Sequence, residues 1–315
     1  MTAVAEREMT TSELAEADAR LAWNQMSEPG DTRVGALIRV FGAQAALAHV
    51  IHDPNAELVG YALALPSSQV QEAMRQWQSR YDQDEIAKRS VLATEHGSSP
   101  LFPSDPAWPG MLNHLQDEAP VMLWIKGNSA LLTQSRILSV SGARAATGYG
   151  SHITAEIVEH VVSNEITIAA GTAYGIDAIA HRSALASNSP TIAVLAGGIE
   201  RPYPLAHATL IEKIADEGCV ISEAAPGSAP TRWRFLQRNR LIAALSHATL
   251  ITEAGRNSGS LNLAGHAERF GKPVGAVPGP ITSATSAGCH RLIKDHGATL
   301  ITSGTDTLTL IDAAR

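Results

Sequence analysis

The sequence predicts an α/β fold in which a doubly wound, mostly parallel sheet follows a small helical domain. Residues up to about 90 show apolar side chains at helical spacing and no strand pattern. From about Val121, short apolar runs alternate with helix patterns, as in βαβ units. These runs lack in-and-out alternation, as expected for strands buried on both faces. Together the three observations predict a Rossmann-like core.

The helical domain is expected to span residues 1–90. ELAEADARLAWNQM has the apolar spacing of a helix, which Pro29-Gly30 ends. Asp31 is a suitable N-cap for the next helix, and Gly42 is a suitable stop. SSQVQEAMRQWQSRYDQDEIAKRSVLA shows a further helix pattern. Four prolines and three serines in residues 96–110 then mark the domain boundary or an extended arm that opens the core.

Six apolar runs predict the strands of the core, which is expected to span residues 91–315. In chain order these runs are ILSVS, ITIAA, TIAVLAGG, CVISEA, ATLITEA and PVGAVPG. A turn or a helix pattern follows each run. Right-handed crossovers between parallel strands would place the connecting helices on both faces of the sheet.

Composition narrows the classes of function. The 315 residues carry a net charge of -7, so any nucleic-acid binding must come from a local basic patch. Aromatic residues make up 4% of the chain, which argues against an extended base-stacking platform. Two distant cysteines indicate a reducing compartment. The sequence shows neither a signal-peptide layout nor a membrane-length apolar run, which predicts a cytoplasmic protein with no membrane contact.

Four glycine-bearing junctions follow predicted strands. Exposed N–H groups at such helix starts attract anions, and glycine lets a ligand approach the backbone. None of the junctions matches G-x-G-x-x-G, the dinucleotide-binding motif, or G-x-x-x-x-G-K-[ST], the phosphate loop of nucleoside triphosphate hydrolases. The sequence therefore argues against both of these functions. The junctions read SGARAATGYG, GTAYGID, GGIERPYP and GRNSGSLN.

Arginines accompany these loops. Arg144 lies two residues after Gly142, within reach of an anion held by the first loop. TRWRFLQRNR carries four arginines and no acidic residue. We interpret Asn239 as the N-cap of the helix pattern LIAALS, with Arg238 and Arg240 flanking the helix start. Guanidinium groups suit bidentate phosphate contacts.

A structural role is the alternative for each of these features. The arginine run could instead form ion pairs with Glu223 and Glu253. Asp177 and His181 stand four residues apart on a predicted helix, but a third metal ligand at suitable spacing is absent from the sequence. Cys289 reads as a small packed residue. No catalytic arrangement is recognisable, which predicts a protein that is not an enzyme and uses neither a metal nor a cofactor.

Eight stretches in sequence resemble the DNA-processing protein A family (DprA, also called Smf). They extend over about residues 102–298, and their combination is far more specific than any one of them. The stretches are SGARAATGYG, AGTAYGIDAIAHRSAL, LAGGIERPYP, ISEAAPG, RFLQRNRLIAALS, EAGRNSGSLN, GKPVGAVPGP and AGCHRLIKDHGA. The N-terminal helices resemble more weakly the family's helical domain, of the SAM or helix-hairpin-helix kind.

The resemblance implies a Rossmann-like core that binds single-stranded DNA. Members of the family protect incoming single strands and load the RecA recombinase onto them in natural transformation or recombination, usually as homodimers. Carried over motif by motif, the DNA phosphate-binding residues would be Gly142, Arg144, Gly171, Arg238, Asn239, Arg240, Ser258, Gly259 and Ser260.

The chain departs from the family pattern in three places. Ala170 stands where the family usually has a serine, which removes one hydroxyl. Tyr174 stands where many members have Lys or Arg, and we expect it to stack on a base instead. The sequence given ends at Arg315, without the winged-helix domain that many members carry after the core.

A second hypothesis comes from another class of protein. Related folds occur in nucleotide phosphoribohydrolases and in sensors of small nucleotides, which would use the same end of the sheet. The hydrolase signature resembles P-G-G-x-G-T-x-x-E, and the corresponding region here reads EAGRNSGSLN. The sequence therefore argues against the hydrolase, and less firmly against a nucleotide sensor.

Overall fold

The structure, a computed structural model, describes residues 10–314 and begins with six helices. We call residues 10–95 the helical unit. Its packed interior contains Trp23 against Trp77, edge to face with ring centroids 5.6 Å apart. A π-helical turn, Ala48–His52, follows the third helix. The helices are α1 (Thr11–Met26), α2 (Thr32–Phe41), α3 (Ala43–Leu47), α4 (Ala56–Leu63), α5 (Ser67–Gln78) and α6 (Gln83–Glu95).

Local capping explains where these helices begin and end. The Asp31 side chain accepts a hydrogen bond from the Arg33 amide at the start of α2, and Gly42 ends that helix with a φ of 77°. The helix pattern predicted over residues 67–93 forms two helices rather than one. The chain turns after α5, and Asp82 starts α6 by accepting a hydrogen bond from the Glu85 amide.

Within residues 10–314, no single helix is both long enough and apolar enough to span a membrane. Helix α2 and the segment Ala43–His52 pass that test only when they are taken together, and they are bent by 118° relative to each other.

The core contains a nine-stranded sheet in the order β1-β2-β6-β5-β4-β3-β7-β8-β9. Strands β3 to β9 are parallel, while β1 and β2 are antiparallel to their neighbours. This confirms the predicted mostly parallel α/β fold. The strands are β1 (Ser99–Leu101), β2 (Leu123–Gly127), β3 (Ile137–Ser141), β4 (Thr167–Ala170), β5 (Thr191–Leu195), β6 (Cys219–Ser222), β7 (Ala248–Ile251), β8 (Val274–Ala276) and β9 (Thr299–Leu300).

Helices cover both faces of the sheet, and successive strand residues point to opposite faces. Ile137 packs into the cluster that contains α10, α11 and α12, whereas Leu138 packs into the cluster of α7, α8 and α13. The continuous apolar strands of the sequence follow from this double burial. The helices are α7 (Gly148–Val162), α8 (Ile176–Ala186), α9 (Ala208–Glu217), α10 (Arg232–Leu245), α11 (Ser260–Arg269), α12 (Ala287–Asp295) and α13 (Gly304–Asp312).

The winding direction of the sheet changes between β3 and β7. Strands β3, β4, β5 and β6 follow one another outward, and the chain then returns through α10 to β7 on the other side of β3. In open parallel sheets such a switch leaves a crevice at the carboxyl ends of the strands, where ligands bind.

A buried ion pair joins α10 to the end of β6, and through Glu223 to the helical unit. Arg240 donates to both Glu223 carboxylate oxygens, at 2.8 and 2.7 Å, and its side chain is fully buried. Glu223 also accepts the Gly30 amide, at 3.1 Å. Gly30 has a φ of +73°, and a methyl group there would lie 3.1 Å from Arg240 Nε, so glycine suits this position.

We expect Arg240→Met to lower the free energy of unfolding by about 3–5 kcal/mol, because Glu223 would remain buried without its countercharge. Urea unfolding followed by circular dichroism measures the change. Arg232→Met, at an exposed position of the same helix, is the control and is expected to shift stability by less than about 0.5 kcal/mol. Equal midpoints for the two variants would contradict this role of Arg240.

Candidate functional site

Four loops meet at the carboxyl edge of the sheet. The glycine-bearing junctions follow β3, β4, β5 and β7, and these strands are consecutive neighbours in the order β5-β4-β3-β7. Because these strands are parallel, the four junctions share one end of the sheet. The loops after β3 and β7 flank the change in winding direction, where a ligand crevice is expected.

Two arginines share one aromatic ring at this edge. The guanidinium carbon of Arg144 lies 5.3 Å from the centroid of the Phe235 ring, and that of Arg238 lies 5.8 Å from it. Arg144, in the loop after β3, is exposed, whereas Arg238 is buried in α10. Cation–π contact with Phe235 therefore brings two sequence-predicted site residues together and leaves the Arg144 donors open to solvent.

Arg238 lies over Gly171. A methyl group on Gly171 would lie 2.5 Å from both Arg238 Nη2 and Asp177 Oδ2, so a larger residue would displace both groups. Arg238 Nη1 donates to the Val194 carbonyl, and Arg238 Nε has no hydrogen-bond partner among the described residues. Asp177 is held in turn by Ser141 Oγ, at 2.8 Å. The guanidinium is therefore fixed, and its Nε is buried without a partner among the described residues.

The two buried charges influence each other. Burial lowers the pKa of Arg238 to about 10, an effect that Asp177 opposes, so Arg238 stays protonated at neutral pH. Burial also raises the pKa of Asp177, and the Arg238 charge acts against that rise. Sequence analysis gave Asp177 a structural role, and the structure places it inside the site beside Arg238.

His181 supports the loop after β4, which contains Gly171. Its Nε2 lies 2.8 Å from the Gly171 carbonyl, and its Nδ1 lies 2.9 Å from Thr191 Oγ1. Because the carbonyl can only accept, Nε2 carries the proton. Burial lowers the pKa of His181 to about 4, so the ring is neutral at pH 7. His181 thus positions the Gly171 loop and does not pair with Asp177 as an acid and a base.

Two exposed tyrosines lie in the loops of this sheet edge, and sequence analysis anticipated only Tyr174. Tyr174 is 49% exposed and contacts the His207 ring, with centroids 4.8 Å apart. Tyr203 is 47% exposed and lies 5.5 Å from the Phe235 ring centroid. These residues are far apart in sequence, so the low overall aromatic content concealed their grouping. In the sequence, Tyr203 and Phe235 could have been noticed only as members of the motifs GGIERPYP and RFLQRNR.

Asn239 was predicted as an N-cap, and this was wrong. Thr231 caps α10, and Asn239 lies in the middle of that helix. Its side chain donates to the Gly259 carbonyl at 3.3 Å and to Asn262 Oδ1 at 3.1 Å. Asn239 therefore holds the loop after β7 against α10. In that loop, Ser258 Oγ lies 2.8 Å from Ser260 Oγ.

Arg240 does not reach the site. Residues two positions apart on a helix point about 200° apart, so Arg240 faces away from Arg238 and toward the helical unit. Its guanidinium is occupied by Glu223, the ion pair that the alternative interpretation proposed. Glu253 forms no such pair, because it accepts hydrogen bonds from Thr147 and Thr285. We therefore leave Arg240 out of the proposed binding site.

The remaining positions have packing roles. A methyl group on Gly142 would lie 2.7 Å from the Glu253 carbonyl oxygen, so this glycine lets the loop after β3 approach β7. Ala170 is fully buried at the end of β4. Burial raises the pKa of the Cys289 thiol to about 12, which makes it an unreactive packed residue at neutral pH.

Comparison with known proteins identifies the family. The model of the DNA recombination-mediator protein A family matches residues 99–312. A DprA-type protein of Mycobacterium tuberculosis is 37% identical over 92% of this chain and 74% of its own length. The DNA processing protein DprA of Streptococcus pneumoniae is 39% identical over 66% of this chain and 73% of its own. The chain belongs to the DprA/Smf family of DNA recombination mediators.

Solved structures agree with this assignment. A DprA structure from Streptococcus pneumoniae superposes with a TM-score of 0.75 at 29% identity, covering 96% of this chain and 98% of that one. A structure describing the single-stranded DNA binding mode of DNA processing protein A from Helicobacter pylori has a TM-score of 0.62 at 28% identity, covering 69% and 96%.

The site predicts a pH dependence of stability. An unfolded histidine takes up a proton near pH 6.5, whereas folded His181 does so only near pH 4. Between these values the unfolded chain binds more protons, so His181 contributes a fall in stability as the pH drops, by about 1.4 kcal/mol per pH unit. We expect His181→Gln to flatten this slope in urea unfolding measured from pH 7 to pH 4.

His152→Gln is the matched control, because that side chain is exposed and 3.5 Å from Glu156. It is expected to keep the wild-type slope. If the free energy of unfolding changed with pH at the same slope in wild type and His181→Gln, His181 would not be buried as a neutral ring.

Proposed function

We propose that this protein binds single-stranded DNA at the carboxyl edge of its sheet and acts there as a binding protein, without catalysis. The observation that carries the proposal is the pair Arg144 and Arg238 on the Phe235 ring, which the exposed Tyr203 also contacts. Guanidinium groups beside exposed aromatic rings provide both phosphate contacts and base stacking, the two interactions that hold single strands.

Each group has its own part in this proposal. Arg144, which is exposed, takes a backbone phosphate, and the buried Arg238 adds positive charge behind the Phe235 ring. Tyr174 and Tyr203 stack on bases. Amides at the starts of α8 and α11 add to the positive potential. Stacking tolerates every base, so we expect little sequence preference.

The wider role follows from family membership. A DNA recombination mediator that holds a single strand can protect it and pass it to a recombinase. We propose that this chain, in the cytoplasm and as a homodimer, protects incoming single strands and loads RecA onto them in natural transformation or recombination. The Helicobacter pylori relative, described by its single-stranded DNA binding mode, supports the DNA-binding part of this proposal.

We expect Arg144→Ala to weaken binding of labelled oligo-dT by about 5- to 30-fold, equivalent to about 1–2 kcal/mol, because a charge-assisted phosphate contact is lost. The plot of log affinity against log salt should also become shallower by about 0.7, the value for one phosphate on a single strand. Fluorescence anisotropy over a salt series measures both quantities.

Arg75→Ala removes the same charge from an exposed position in the helical unit and is expected to bind like wild type. Equal weakening by both substitutions would point to general charge rather than this site. A folded wild type that does not bind at low salt would refute the proposal. Release of free base from a nucleoside monophosphate would instead favour the phosphoribohydrolase hypothesis.

A further inference from the structure

An arginine-lined cleft lies between the helical unit and the core. Arg80 and Arg89 line it from the helical unit, and Arg234 lines it from the first turn of α10, around a volume of about 420 Å³. A second hollow of about 390 Å³ adjoins it, shares Arg80, and is bordered by Trp233. We call these two hollows together the inter-unit cleft.

The cleft has an excess of positive charge. Arg234 and Arg80 share a single carboxylate, that of Glu28, at 2.9 and 3.7 Å. The Arg80 side chain is 48% exposed and so keeps much of its charge available to a ligand. Arg89 is paired with Glu85 at 3.0 Å, so it extends the lining of the cleft without adding net charge. An extended polyanion is the ligand that this arrangement favours.

Trp233 provides an exposed ring at the edge of the cleft. It is 45% exposed, whereas the other four tryptophans are at most 7% exposed. Folded proteins normally bury most of such a large apolar ring. Next to arginines, an exposed indole is a surface on which a base can stack.

The cleft and the proposed binding site share the start of α10 but lie on opposite sides of it. Trp233 and Arg234 directly precede Phe235 on α10, at a rise of about 1.5 Å per residue. Arg234 donates to the Ala229 carbonyl at 2.7 Å, and the Gly198 amide donates to the Ser228 carbonyl at 2.9 Å. Hydrogen bonds thus join α10 to the loop after β6, and that loop to the loop after β5. Three strand spacings of about 4.8 Å, roughly 14 Å, separate β3 from β6.

We infer that the inter-unit cleft is a second contact region for the same DNA strand, in which Trp233 stacks on a base and Arg80 contacts a phosphate, while Arg234 holds the Glu28 carboxylate. This inference rests on the proposed function and extends it: the helical unit becomes part of the binding surface. A short oligonucleotide fills only the Arg144–Arg238 site, whereas a longer one also occupies the cleft.

The test compares labelled oligo-dT of about 5 nucleotides with oligo-dT of about 20 nucleotides. The double variant Trp233→Ala/Arg80→Ala is expected to bind the long strand about 10-fold or more weakly and the short strand as wild type does. Binding of the short strand also shows that the variant is folded. Arg75→Ala, the same loss of charge elsewhere on the helical unit, should leave both affinities unchanged.

Tryptophan fluorescence gives an independent readout, because Trp233 is the exposed tryptophan. The long strand should quench emission in wild type but not in Trp233→Ala, and the short strand should quench neither. Unchanged affinity of the double variant for the long strand would overturn the inference while leaving the proposed site intact, as would an equal loss for both lengths. Failure of wild type to bind either strand would overturn the proposed function itself.

Discussion

The buried ion pair between Arg240 and Glu223 fixes the position of α10, and the candidate site depends on that helix. Glu223 also accepts the Gly30 amide, and its own carbonyl accepts a hydrogen bond from Asn24 of α1. One carboxylate residue therefore links the helical unit, the end of β6 and α10. Because side chains two positions apart on a helix point about 200° apart, anchoring Arg240 on one side directs Arg238 toward the sheet edge on the other.

A buried pair of this kind contributes less net stability than its short hydrogen bonds suggest. The free energy of desolvating two charges offsets much of their electrostatic attraction. Removing one partner is nevertheless strongly destabilising, because the other charge stays buried and unpaired. The geometry of the bond is what matters here: two short hydrogen bonds allow α10 little freedom to rotate or slide. The proposed site and the inter-unit cleft lie on opposite sides of the same helix start. Both would be displaced together if this contact were lost.

Much of the fold could be predicted from the sequence, because apolar periodicity and glycine loops are local signals. They located the parallel strands and placed Arg144 and Gly171 at one edge of the sheet. The start of α10 could not be found in this way: four arginines in one segment suggest an exposed turn, and nothing local shows that two of them are buried. Their partners, such as Asp177, are far away in sequence and become neighbours only when the sheet forms.

The environments of the arginines explain how an acidic protein can hold a polyanion. Arg238 lies beside Asp177, and Arg234 pairs with Glu28, so these charges are partly matched before any ligand arrives. Arg144 differs, since it rests on the uncharged Phe235 ring and forms no ion pair within residues 10–314. Its charge remains available to a phosphate. Salt screens the acidic surface beyond about 8 Å, so a net charge of -7 does little to oppose a contact made at bonding distance.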